Sequence, residues 1–105
     1  MKYEVFKNYT KALATESEVK LEEPSLYIVF MYNDDFTPME FVLGILEKFF
    51  YMDRRRAANI MMEAHLKGQA RCGMFTREVA ETKIAQVIDH ARMNEHPLLC
   101  SMEVA

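Results

Sequence analysis

The stretch LYIVFMYNDDFTPMEFVLGILEKFF, Leu26 to Phe50, decides the fold of this chain. Its opening LYIVFMY is short, apolar and rich in β-branched and aromatic side chains, which predicts a strand buried on both faces. Its closing segment repeats apolar residues at helical spacing: Phe41, Val42, Ile45, Leu46, Phe49 and Phe50. Between them Thr37 reads as a helix N-cap, Pro38 as the first helical position and Glu40 as the partner that closes a capping box. A strand therefore passes into a helix through a loop, Asn33-Asp34-Asp35-Phe36-Thr37, in which hydrogen-bond acceptors are clustered.

Downstream the pattern continues. Asp53 caps a second helix with Ala57, Ile60, Met61 and Ala64 on one side and Gly68 just beyond its end. QARCGMF alternates, with Ala70, Cys72 and Met74 on one face, as a strand does. Thr76 caps a third helix in which Ala80, Ile84, Val87, Ile88 and Ala91 form the apolar face, and Asn94 and Pro97 stop it. LLCSMEV is the last strand. The order strand, helix, helix, strand, helix, strand predicts an α+β fold: a small sandwich of a three-stranded antiparallel sheet packed with three helices, over residues 25–105. Residues 1–24 intersperse Lys and Glu without a sustained apolar period and read as a flexible N-terminal arm.

Composition narrows the function classes. The chain has 105 residues, half of them hydrophobic, enough for one domain with a small core. A net charge of -3 lacks the basic footprint of a nucleic-acid binder, and Arg54, Arg55 and Arg56 read as a solvated helix face. No apolar run has the length of a membrane span, and the start lacks the apolar centre of a signal peptide, so a cytoplasmic location is expected. Cys72 and Cys100 lie within apolar patterns and read as reduced core residues.

The residue types leave the chemistry of the loop open. Asx side chains cap turns, and carboxylates suit the positive end of a following helix, which accounts for one or two of Asn33, Asp34 and Asp35. His65, near the end of the second helix, suits a packed or capping role as well as a ligand role. Asp34, Asp35 and His65 could also be imagined as the centre of a metal-assisted hydrolase, but their spacing matches no ligand motif and the chain has no Gly-rich phosphate loop. No cofactor is implied. Nine methionines in 105 residues are numerous; Met39 and Met61 can fill core gaps or line an adaptable apolar pocket.

Three stretches in the same order, NDDFTPMEFV, HLKGQARCGMFTREVAETK and NEHPLLCSME, closely resemble the ClpS family, adaptors that bring N-degron substrates to the ClpA-type unfoldase of a bacterial protease. The resemblance runs from about Tyr27 to the C-terminus and does not extend into the arm. It implies a non-catalytic adaptor that binds the free α-amino group and a large apolar first residue (Leu, Phe, Tyr or Trp) of its substrates. It assigns the ammonium to Asn33, Asp35 and His65, and to Asp34 a contact with the next peptide unit or with local backbone. It assigns the first side chain to a pocket of Thr37, Met39, Met61, Ala64 and Leu98. It also implies that Glu78 and Lys83 contact the N-terminal domain of the unfoldase and that the arm serves delivery. Ala64 stands where many members carry valine, a departure that bears on selectivity.

Overall fold

The computed structural model describes residues 24–105; the arm expected over residues 1–24 lies outside them but for Pro24. Three strands and three helices follow one another as β1 (Leu26–Tyr32), α1 (Met39–Phe50), α2 (Arg54–Lys67), β2 (Gln69–Thr76), α3 (Arg77–Met93) and β3 (Cys100–Val104). The sheet is antiparallel with order β2-β1-β3, so the most apolar strand is central.

The helices all pack on one face of that sheet. Val29 and Met31 of β1, with their cross-strand neighbours Met102 and Cys100, meet Ile45, Leu46, Ala57, Val87 and Ala91 of the three helices in a single core. Val29, Leu46 and Val87 are fully buried. Trimming such a residue, as in Leu46→Ala, costs about 2–5 kcal/mol because the cavity collapses only partly. On the opposite face of β1, Phe30 is buried but Ile28 and Tyr32 are only half-buried. Among the described residues the expected burial on both faces is thus complete only on the helix side, because none of the three helices crosses the other. Tyr32 there shares a 2.6 Å hydrogen bond with the Ser101 hydroxyl.

Two further expectations shift. Strict alternation puts Met74 on the inner face with Ala70 and Cys72, yet Met74 is 54% exposed. The register explains this: Val29 faces Gly73 and Phe30 faces Arg71, so Cys72 is an unpaired bulge residue. One extra residue moves everything beyond it to the other face. Phe75 turns inward instead, its ring centroid 6.1 Å from that of Phe50. The last strand begins at Cys100 and not at Leu98, because Leu98 is taken into the cleft described below.

Helix ends follow their caps. Asp53 accepts a 2.7 Å bond from the Arg56 N–H at the start of α2, and Gly68 ends that helix in the left-handed region at φ 87°. The C-terminus of α1 is closed from outside: Lys83 of α3 donates to the Phe49 carbonyl at 2.6 Å. Its ammonium also lies 4.9–5.6 Å from the ring centroids of Phe50, Tyr51 and Phe75. A cation at a helix C-terminus meets the negative end of the dipole, and the aromatic faces add to the attraction. Both cysteines are free and buried; burial pushes the Cys72 thiol well above its ordinary range and that of Cys100 up to about 12.

Candidate functional site

Where β1 ends, two consecutive backbone N–H groups reach in opposite directions. Tyr32 donates to the Leu99 carbonyl at 3.1 Å, and Asn33 donates to the Gly68 carbonyl at 3.0 Å. The first bond brings up the segment that carries Leu98; the second brings up the end of α2, which carries His65. Two remote segments therefore converge on the loop Asn33–Thr37. The segment before β3 is also held to α1, where Phe41 stacks on His90 (centroids 5.4 Å apart) and meets His96 edge-on (4.5 Å).

Within the loop Asp34 is fully occupied. One carboxylate oxygen accepts from the backbone N–H groups of Phe36 (2.8 Å) and Thr37 (2.7 Å) and, at 3.0 Å, from the Thr37 hydroxyl, which also donates to the other oxygen at 2.8 Å. This overturns the reading of Thr37 as N-cap. Its hydroxyl is turned onto the Asp34 carboxylate and its oxygen accepts no helix N–H, and the cap position passes to Pro38, which has no side-chain cap bond. Glu40 closes no capping box; both its oxygens take Arg54 at 2.7 and 2.8 Å, while Arg54 also pairs with Glu47. Since Glu40 and Glu47 lie on α1 and Arg54 opens α2, the arginine ties the two helices.

Asn33, Asp35 and His65 behave differently from Asp34. All three are exposed, and their side chains make no hydrogen bond to another described residue. They border a cleft of about 310 Å³ that Thr37, Met39, Met61, Ala64 and Leu98 also line. Ala64 and Leu98 are buried at its base, Met61 is half-buried against the core, and Met39 stands at the opening, 64% exposed. Met61, Ala64 and His65 share a face because they are three and four residues apart on α2.

The cleft also takes in residues that sequence reasoning missed: Met31, Tyr32, Val42 and Met62. Met31 and Val42 belong to apolar stripes that equally well describe core. Met62 precedes His65 by three positions, and that helical spacing is the signal that could have found it. Among the described residues no Lys or Arg lines the cleft, so the Asp34 and Asp35 carboxylates, the Asn33 amide and the His65 imidazole dominate its opening. The volume is small, at the low end of ligand pockets, and suits one large side chain.

Glu78 and Lys83 lie elsewhere. Glu78 is exposed in the first turn of α3 and borders a groove with Pro24, Ser25 and Tyr27. Lys83 is half-buried, with its ammonium engaged by Phe49 as described. Among the described residues no three His, Cys, Asp or Glu side chains gather into a set that could hold a metal ion, and no helix is long and apolar enough to cross a membrane.

Comparison with known proteins gives the following. The family model of ClpS, the ATP-dependent Clp protease adaptor protein, matches residues 22–101. The ATP-dependent Clp protease adapter protein ClpS of Hyphomonas neptunium is 58% identical over 91 residues, covering 87% of this chain and 77% of that protein. That of Vibrio cholerae is 54% identical over 93 residues, 89% of this chain and 88% of that protein. Among solved structures, Agrobacterium tumefaciens ClpS2 bound to L-phenylalaninamide matches with a TM-score of 0.77 at 36% identity, covering 79% of this chain and all of that one.

Proposed function

The chain belongs to the ClpS family of ATP-dependent Clp protease adaptors, and from that footing we propose that its cleft captures the first residue of a polypeptide chain. The α-ammonium is held by Asn33, Asp35 and His65, and the side chain enters between Met39, Met61, Ala64 and Leu98. The observation that carries this reading is the pairing of three unengaged acceptors with the opening of an apolar cleft. An ammonium has three donors and no acceptor, so an amide oxygen, a carboxylate and a neutral imidazole nitrogen satisfy it completely.

The ligand of the Agrobacterium relative supports the assignment chemically. L-phenylalaninamide is a free α-amine, a benzyl side chain and an amide in place of the next peptide bond, which is the minimum of an N-terminal phenylalanine. On this reading the substrates are polypeptides that begin with Leu, Phe, Tyr or Trp. A hydrolase built on Asp34, Asp35 and His65 has less support, because the Asp34 carboxylate is already saturated by the loop.

We assign delivery to the other end of the domain. Pro24 and Ser25, where residues 1–24 join the core, share a groove with Glu78. Asn33 lies beyond the far end of β1, roughly 20 Å away for a strand of that length. An unfoldase of the ClpA type that docks its N-terminal domain at Glu78 would therefore meet the start of the arm without covering the captured residue. Lys83 serves this surface indirectly, by fixing the end of α1 beside it.

A panel of short peptides that differ only in the first residue, each free and N-acetylated, tests the proposal. Leu, Phe, Tyr and Trp should bind and their acetylated forms should lose two or more decades of affinity, since each missing charge-assisted bond costs about 1.5–3 kcal/mol. Equal binding of free and acetylated forms would overturn it.

A further inference from the structure

We infer that Met39 is an oxidation-sensitive gate: conversion of its thioether to the sulfoxide by a peroxide closes the cleft to apolar first residues, and reduction reopens it. The inference rests on the proposed capture of first residues by the cleft.

The methionines of the described core are graded in exposure around this one site. Met31, Met39, Met61 and Met62 all line the cleft. Met31 is sealed at 1% exposed, whereas Met39 is 64% and Met62 47% exposed. Met39 is the first residue of α1, two positions after Thr37 of the acceptor loop, and the most exposed of the four cleft methionines. Outside the cleft, Met93 is 81% exposed at the end of α3 and provides a reference for reactivity without function.

The chemistry is balanced. The sulfur lone pair attacks one peroxide oxygen, the O–O bond breaks, the S–O bond forms and water leaves; the thioether loses two electrons and the peroxide gains them. The product is polar and carries a strong acceptor oxygen. That oxygen would share the cleft with the carboxylates of Asp34 and Asp35, which disfavour a further acceptor there. The donors left among the lining side chains are those of Asn33 and His65, because Thr37 already donates to Asp34 and the Tyr32 hydroxyl is engaged with Ser101. A sulfoxide that takes those donors turns the ligand's own acceptors away, and one that takes none is a polar group without a partner against an apolar side chain. Both outcomes weaken binding.

The test uses the full chain. The protein is titrated with hydrogen peroxide, the oxidation of each methionine is mapped by peptide mass spectrometry, and affinity for a fluorescent Leu-initiated peptide is measured at each dose alongside thermal melting. The expected result is that Met39 and Met93 oxidise ahead of Met31, and that affinity falls at least tenfold in step with Met39 while the melting temperature holds. Methionine sulfoxide reductases should restore it. The quantity compared between variants is the ratio of affinities before and after treatment: Met39→Leu should hold that ratio near one, and Met93→Leu should leave the fall intact. Full oxidation of Met39 without loss of affinity, or the same loss in Met39→Leu, overturns the gate. Untreated protein that binds no peptide overturns the proposed function itself, which distinguishes the two failures.

Discussion

The backbone N–H of Asn33 donates to the carbonyl of Gly68 at 3.0 Å, and that one bond joins the strand-to-helix loop to the end of the helix carrying His65. Gly68 can present its carbonyl this way because it sits at φ 87°, having first donated its own N–H to Ala64 at 2.8 Å. A residue with a Cβ pays a steric penalty in that conformation. The separation of Asn33 from His65 is therefore set by a helix C-cap.

Gly68→Ala tests this coupling. No described atom lies within 4 Å of the added Cβ, so the effect is conformational and not a clash. Stability should drop by about 1–2 kcal/mol, the cost of the left-handed conformation for a residue with a Cβ. Peptide affinity should fall as well, because relaxation of the cap shifts Asn33 relative to His65. Equal loss of stability with unchanged affinity, from chemical denaturation and peptide titration on the same sample, would separate the cap from the site.

Asp34 and its neighbours should respond oppositely. Asn33→Ala, Asp35→Ala and His65→Ala each remove an exposed acceptor with no described partner, so melting should barely change while peptide affinity falls about tenfold or more. Asp34→Ala frees two backbone N–H groups and the Thr37 hydroxyl at once, so it should lower stability by about 1–3 kcal/mol and weaken binding through disorder of the loop. Peptide titrations and melting curves for the parent and the four variants decide it.

The cysteines give a stability prediction with a definite sign. Folded Cys100 is pushed up to about 12 from an ordinary value of 9.0, and Cys72 is also raised, in both cases chiefly by burial. The folded state thus favours the protonated thiols. Their contribution is complete below about pH 8.5, where unfolded thiols are also protonated, and is lost as pH climbs toward the folded values. Native protein at neutral pH should resist alkylation by iodoacetamide at both positions and react at both once denatured, and the melting temperature should decline above about pH 9. Rapid native labelling of either cysteine would contradict the packing.

The helices were legible in the sequence because their apolar faces and their main boundary signals agree: Asp53 before α2, Gly68 after it, Asn94 after α3. Two local features were not. Alternation in QARCGMF could not reveal that Cys72 is a bulge, since a bulge is a property of a pair of strands; Gly73 within the strand was the available hint. Thr37 has the residue type of an N-cap, yet its hydroxyl is turned onto Asp34 three positions earlier, a partner that propensity does not foresee. Residue type alone leaves Asn33, Asp34 and Asp35 as three acceptors alike; the resemblance to ClpS set Asp34 apart, and the loop geometry supplies the physical reason. From the spacing of apolar residues, Met31 and Val42 could not be told from core, because a cleft floor and a core share the same apolar stripe.

Selectivity for the first residue should rest on Met39 and not on Met61. The Cβ of a captured residue is one bond from the Cα that carries the ammonium, so a branch there lies close to the acceptors at the opening. Met39 stands at that opening, 64% exposed, while Met61 is half-buried against the core. Burial alone does not favour Leu over Ile, which have the same number of carbons, so discrimination has to be steric. Met39→Ala should raise affinity for Ile- and Val-initiated peptides about tenfold, toward that for Leu. Met61→Ala should instead weaken binding of every large side chain by removing deep contact. Ala64, buried at 4% exposed, leaves room at the base of the cleft, so Ala64→Val should penalise Trp most. If Met61→Ala admits Ile and Val while Met39→Ala does not, the branch point lies deeper than the ammonium geometry requires, and the assignment of Asn33, Asp35 and His65 to the α-amine has to be revised with it.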